Sequence, residues 1–480
     1  MLKRRVTDSL IRSGKMPKQQ RIRDPLHDII GFNVDEVHLE RVLWQVIQTR
    51  PFQRLRRVKQ LGFSDFVYPG ATHSRLLHSL GVFHTARYLM DVVRKYTHPF
   101  EQTKADQALA AALVHDVGHG PFSHAFEDVG WRLGLKLADH ELVSETLIRD
   151  SEIAKELKEL GSGFADDVAD IVSGSGSSSI YSAVVSSQFD ADRLDYIRRD
   201  RLMVGTEHAG IDFEWLLQNL EVGEVAYGVD ETSLGKVRTF VLGPKAIFAA
   251  EAYVLGLFQL YPTVYFHKAT RGAEKIYVEL LARTVSLIRD GSVNLTGLAA
   301  SHPLAKFAKD PENIDCAISL DDTVIWGALS LMADASDQRI AMLARRLRDR
   351  KLYKCIDVRT RIAREKGDAV ANSKEADRVC EDIRDDVSAW SNSLTDFGPR
   401  ALIDQQSRSP YKRITETKGP LDQINIRTDG GFLVDLAQRS KVVAELQTYK
   451  LLRIYHDGDD VEARSKINEI IDTRISKWPQ

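Results

Sequence analysis

"ALVHDVGHGPFSHAF", residues 112–126, places three histidines and an aspartate at the end of an alanine-rich apolar run. The run itself, "DQALAAALVHD" (106–116), has the pattern of a buried helix, and Gly118 stops it. His115 and Asp116 are consecutive, so inside a helix their side chains would diverge by about 100°. At a helix end followed by glycine, both can turn toward a common ion.

Of fourteen histidines, eight fall between positions 73 and 140: His73, His78, His84, His98, His115, His119, His124 and His140. A single histidine on an apolar helix is usually a hydrogen-bonded core residue. Several that converge with carboxylates ask for a metal, because neutral imidazole and carboxylate suit first-row divalent ions. The remaining ligands then have to come from His78, in the buried-looking helix "SRLLHSLGVFHTARYLMDVVRKY" (74–96), and from an aspartate in "DADRLDYIRRD" (190–200). In that segment Asp192, Tyr196 and Arg199 are spaced i, i+4 and i+7. They share a helix face, so a ligating carboxylate, a phenol and a cation are expected to meet one substrate. A phosphate ester fits such a face, with the metal activating water and the cations neutralising charge.

Composition narrows the setting. Apolar residues make up 43% and charged residues 28% of the 480, as in ordinary soluble globular proteins. A net charge of −2 rules out the whole molecule as an electrostatic magnet for nucleic acid or acidic lipid. Cys316, Cys355 and Cys380 are odd in number and far apart, which points to a reducing compartment without a disulfide framework. The basic start lacks the apolar core of a signal peptide. "AIFAAEAYVLGLFQLY" (246–261) holds Glu251 and Gln259 and stops at Pro262; it reads as a buried helix, too short and polar to span a bilayer. A cytoplasmic protein with no membrane partner is expected.

Helical periodicity dominates, with a further helix expected over 141–160 and a strand pair over 224–243. The basic segment 338–366 faces the acidic "DRVCEDIRDD" (377–386), and a solvated helix face is favoured over a nucleic-acid groove. "DQINIRT" and "YKLLRIYHD" read as strands before a last helix, "VEARSKINEIIDTRI". The expected organisation is a flexible basic arm (1–20), a mainly helical domain (21–300) and a smaller α+β region (301–480).

His78, His115-Asp116 and Asp192 together resemble the signature of HD-domain metal phosphohydrolases. "DPLHDIIGF", "FQRLRRVKQLG", "YPGATHSRLLHSLGV", "HDVGHGPFSH", "DADRLDYIRRD", "VYFHK" and "RKLYKC" occur in the order seen in the deoxynucleoside triphosphate triphosphohydrolases, whose members are bacterial and vertebrate. The resemblance implies a mainly α fold with an HD-domain core. It makes His78, His115, Asp116 and Asp192 the ligands of iron, manganese, zinc or nickel, with magnesium accompanying the nucleotide phosphates. The implied reaction yields a deoxynucleoside and inorganic triphosphate, His140 protonating the departing 5′ oxygen and His119 and His124 flanking the phosphates.

By the same resemblance Arg75 and Arg193 contact phosphate, and Tyr196, Asp200 and Tyr265 hold the sugar and lower phosphates. Gln60 and Leu61 read the 3′-hydroxyl and crowd out a 2′-hydroxyl. Gln53, Arg56, Arg350 and Lys354 match an effector-nucleotide region at which vertebrate-type relatives assemble, which implies a nucleotide effector and a homo-oligomer, dimer or tetramer. Four positions depart: Leu257 stands for an arginine on the terminal phosphate, Tyr261 for a histidine, Gln48 for the aspartate that reads guanine, and Gln20 for a lysine. Two other readings stay open. One is hydrolysis of another phosphoester (a monophosphate, ribonucleotide or signalling nucleotide); the other is a nucleotide- or nucleic-acid-binding scaffold without catalysis.

Overall fold

The Ser74 side chain accepts from the Leu77 amide and starts α1 (Arg75–Tyr96), as its capping chemistry dictates. The structure is a computed structural model and describes residues 18–176, 179–229, 232–392, 399–411 and 423–478. Beside α1 lies α2 (Gln102–Val114), whose Ala105, Ala108 and Ala112 are fully buried and leave room for close helix packing. After a tight loop come α3 (His124–Leu133) and α4 (His140–Arg149). The expected 141–160 helix is two: α4 ends at Asp150, and Ser151 caps a separate helix Glu152–Leu157 by accepting from the Ile153 amide. The short polar side chains there bond the backbone locally and break the run.

Asp190 caps α5 (Ala191–Val204), which packs against α1. The apolar 246–261 stretch forms α6 (Ile247–Leu260) and runs on through a wide turn, Tyr261–Tyr265. Counted with its flanking turns it spans 22 residues, Pro244–Tyr265, within which an 18-residue window has a mean hydropathy of 1.3; that is long and apolar enough to cross a membrane by length and composition alone, where the 246–261 stretch is expected to be too short. In the fold, Tyr253, Val254, Leu257 and Leu260 are buried in one cluster with Val82 and Ala86 of α1 and Leu194 and Ile197 of α5.

The expected strand pair is an antiparallel hairpin, Leu220–Val229 with Thr232–Leu242. Asn425–Arg427 adds to it in parallel and Leu433–Asp435 closes that sheet. A second sheet places Tyr449–His456 between Lys354–Asp357 and Ala401–Arg408, and the last helix is Val461–Ser476. Helix α7 (Lys268–Arg289) contributes Ile276 and Leu280 to a core that also holds Leu304, Phe307, Leu329 and Leu343. That core runs across position 300. Of the basic arm, residues 1–17 lie outside the described residues, while Gln19 and Gln20 pair with Asn33 and Phe32 in an N-terminal hairpin. The basic 338–366 segment is partly neutralised by its acidic neighbour, Arg359 lying 2.5 Å from Asp377.

Candidate metal centre and the histidine cluster beside it

Gly118 explains how the chain turns after α2. A Cβ at this position would lie 2.3 Å from the His140 carbonyl and 2.4 Å from the Ser144 amide nitrogen, so only glycine lets the loop meet α4. The Gly118 amide donates to Ser144 Oγ (2.9 Å), and that hydroxyl donates to the His115 carbonyl (3.1 Å). The loop is thereby fixed with His115 and Asp116 facing α1 and α5.

Four side chains, from α1, α5 and the loop that follows α2, converge there. His78 Nε2 lies 2.9 Å from Asp192 Oδ1 and 3.7 Å from Asp116 Oδ2. His115 Nε2 lies 3.4 Å from Asp116 Oδ1 and 3.7 Å from Asp192 Oδ1. His115 Nδ1 faces the Ala112 carbonyl at 3.0 Å, a contact that turns the Nε2 lone pair inward. That Nε2 is buried without a hydrogen-bond partner, and His78, His115 and Asp116 present ligand atoms within 4.8 Å of one another. An orphaned imidazole nitrogen among carboxylates fits a divalent cation. Charge agrees: burial works against protonation of His78, yet Asp192, Asp195 and Asp116 push its pKa up to about 10, so the cluster draws positive charge.

Behind the ligands stands a buried support that the sequence did not reveal. Asp195 Oδ2 accepts from His78 Nδ1 at 2.9 Å, while its Oδ1 lies 2.7 Å from His27 Nε2. Arg199 donates to both Asp195 oxygens (2.7 and 2.9 Å) and to Asp24 (2.9 Å). The arginine is fully buried. The expectation that Arg199 shares a substrate-facing surface with Asp192 and Tyr196 is therefore corrected: its charge is spent on two buried carboxylates. Helical spacing alone does not separate a face that looks into a cleft from one that packs on α1.

Next to the metal ligands, Glu127 gathers three histidines. His140 Nδ1 lies 2.7 Å from Glu127 Oε1, His124 Nδ1 3.1 Å from Oε2 and His119 Nδ1 3.6 Å from Oε1. The His119 and His140 rings stack at 3.9 Å, and His119 Nε2 is 3.3 Å from Asp116 Oδ1. Burial acts to lower the pKa of both histidines. In His140 the Glu127 carboxylate outweighs it and the shift is upward; in His119 burial, Arg75 and His140 act together and hold it well below the ordinary value. One ring of the stack is thus suited to carry a proton and the other to stay neutral. Glu127 was missed, although its i+3 spacing from His124 put both on one face. We expect His140→Ala to lower turnover about a hundredfold to a thousandfold. Metal at the His78, His115, Asp116 and Asp192 centre, measured on the same preparation, should stay at the wild-type level; loss of that ion would mean that His140 is one of its ligands.

The other predicted residues surround this centre to different degrees. Arg75 is buried and donates to Asp116 Oδ2 (2.6 Å) and Ser123 Oγ (2.8 Å). Ser123 and Phe122 hold positive φ, 56° and 59°, a strained turn that Asp322 steadies by accepting from the Phe122 amide at 2.7 Å. Arg193 is held by the Ser187 carbonyl and by Asp190 Oδ2 (2.5 Å). Gln60, His73, Asp200 and Tyr265 form one chain: the Gln60 amide donates to the His73 carbonyl (3.0 Å), His73 Nε2 lies 2.9 Å from Asp200, and the Tyr265 hydroxyl donates to Asp200 at 2.8 Å. Tyr196 meets Tyr265 edge to face, and Leu61 is half-buried on the same core. Gln60 Oε1 is buried without a partner.

In the expected effector region, Arg56 donates to Gln53 Oε1 at 2.6 Å, Arg350 donates to the Phe66 carbonyl, and Lys354 is exposed. No hydrogen bond or ion pair joins the two pairs among the described residues. Leu257 is buried, and the exposed Gln48 bonds its own helix through the Trp44 carbonyl.

This metal-ready His/Asp centre, set between three helices, defines a class. The model of the HD domain matches residues 75–198, and the chain belongs to the HD-domain family. The uncharacterised protein YwfO of Bacillus subtilis is 31% identical over 473 residues, covering 96% of this chain and 98% of its own. Deoxynucleoside triphosphate triphosphohydrolase SAMHD1 of Mus musculus is 25% identical over 489 residues, 92% of this chain and 70% of that one. Among solved structures, a phosphohydrolase from Bacteroides thetaiotaomicron shares the fold, with a TM-score of 0.68 and 24% identity over 92% of this chain and all of the other.

Proposed function

We propose that the protein hydrolyses deoxynucleoside triphosphates to deoxynucleoside and inorganic triphosphate in the cytoplasm, with a nucleotide effector and a homo-oligomer modulating it. The observation that carries this reading is the adjacency of two units. One is the His78, His115, Asp116 and Asp192 centre; the other is the His119–His140 stack on Glu127, joined to the first through Asp116. The likeness to the triphosphohydrolase of Mus musculus supplies the substrate class. A divalent ion bound by His78, His115, Asp116 and Asp192 would supply Lewis acidity toward a phosphoryl oxygen and a low-pKa water.

The chain's own residues do the rest. Arg75, pinned between Asp116 and Ser123, places a fixed positive charge where phosphate oxygens approach. His140, protonated and aligned by Glu127, delivers its proton to the departing ester oxygen. His119, neutral and stacked on it, keeps the ring in place. The Gln60–His73–Asp200–Tyr265 chain offers a polar wall for a sugar, with Gln60 Oε1 free to accept from a hydroxyl.

Analysis of products from the four deoxynucleoside triphosphates, singly and mixed, tests the reading. Inorganic triphosphate supports it; orthophosphate or pyrophosphate would assign the centre to another phosphoester. Burial of Leu257 in the apolar core keeps that second reading in play, because no cation stands there.

A pH profile tests the acid. An acid works protonated, so activity is retained below the raised His140 pKa and lost as pH rises through it. Glu127→Gln removes the anion that raises this pKa, and burial then prevails. The alkaline limb of kcat should move to lower pH in Glu127→Gln; an unmoved limb would exclude His140 as its source.

A further inference from the structure

We infer that His119, His124, Glu127 and His140 form a second metal site, for a zinc-class transition cation, whose occupation inhibits the enzyme. The four residues present ligand atoms that all lie within 4.8 Å of one another, and none of them belongs to the His78, His115, Asp116 and Asp192 set. Each of the three Nδ1 atoms faces the Glu127 carboxylate, at 2.7, 3.1 and 3.6 Å. Ligands that bind one tetrahedral zinc through bonds of about 2.0–2.1 Å stand about 3.3 Å apart. The observed spacings bracket that value.

Two further observations point to a ligand. His119 is only 1% exposed, and its Nδ1 is a buried nitrogen without a hydrogen-bond partner, aimed at Glu127. The His124 side chain is 71% exposed at the rim, so an ion has a way in. Three imidazoles and one carboxylate are a donor set that borderline cations take and that magnesium or calcium avoid.

Inhibition follows from bookkeeping of one atom, and this part alone rests on the proposed function. A cation bound at His140 Nδ1 takes the nitrogen that carries the proton facing Glu127, and that proton is released to solvent. The ring can then no longer be the imidazolium that serves as the acid.

The test counts metal on full-length protein stripped by chelator and titrated with zinc alone, followed by equilibrium dialysis, with cobalt absorption as a second readout. Two equivalents per chain are expected. His124→Ala, at an exposed position, should weaken one of them at least tenfold and leave the other; His115→Ala should do the reverse. One equivalent in the wild type would overturn the site. So would a second equivalent equally tight in His124→Ala and Glu127→Gln. For inhibition, the zinc concentration that halves turnover should rise at least tenfold in His124→Ala, and an unchanged value overturns that claim. Because counting uses no nucleotide, two equivalents in a protein that hydrolyses no nucleotide would uphold the site and sink the proposed function.

Discussion

Replacing His115 by alanine should leave a folded protein that holds no metal at its principal centre and turns over substrate at least about 10⁴-fold more slowly, because Lewis acidity and the activated water vanish together. His115 is the cleaner choice of the two consecutive ligands. Its Nδ1 contacts only the backbone at Ala112, and its Nε2 has no hydrogen-bond partner to strand. Asp116 is different. It accepts from the buried Arg75 and lies beside His119, so Asp116→Ala would leave a buried guanidinium unpaired, at a cost of about 3–5 kcal/mol. Equal thermal midpoints for metal-stripped wild type and His115→Ala, with the ion at this centre and turnover both lost, is the expected triad. Retained metal would show that the set closes without His115.

The site was legible where its chemistry is written in residue types that rarely cluster without cause. His78, the His115–Asp116 pair and Asp192 stand far apart in the chain, and the packing of α1 and α5 with the end of α2 brings them to one point. What sequence could not show is which face of a helix looks inward. Arg199 and Asp195 lie within four residues of one another on α5, and both point at α1 rather than at a cleft. His27 and Asp24, from the N-terminal hairpin, gave no local signal at all, because their partners lie 168 and 175 residues away. The elements followed the same rule. Strong periodicity located α1, α2, α5 and the 220–242 hairpin, whereas the break at Asp150–Ser151 turned on one capping hydroxyl that a helical pattern tolerates. The 300 boundary rests on the change to mixed strand and helix patterning, and one apolar cluster holds residues on both sides of it.

Gly81 turns this hidden support into the second large prediction. It sits in α1 one turn from His78, and a Cβ there would fall 2.1 Å from both Arg199 Nη2 and Asp195 Oδ1. Neither atom can swing away, because Arg199 is fully buried and bound to Asp195 and Asp24, and Asp195 also holds His78 and His27. The methyl of Gly81→Ala must therefore break a buried ion pair or push α5 off α1, costing about 3–5 kcal/mol. Whatever protein still folds should bind metal 10- to 100-fold more weakly, by the usual penalty for disturbing a ligand's outer partner. The same chemical change at Gly327, an exposed position in the helix Asp322–Met332 with nothing within 4 Å, should have the opposite sign and stabilise by about 1 kcal/mol through helix propensity. Denaturant melts of the two variants side by side decide it: if Gly81→Ala behaves like Gly327→Ala, α5 is not wedged against α1 as described, and the support of His78 has to come from elsewhere.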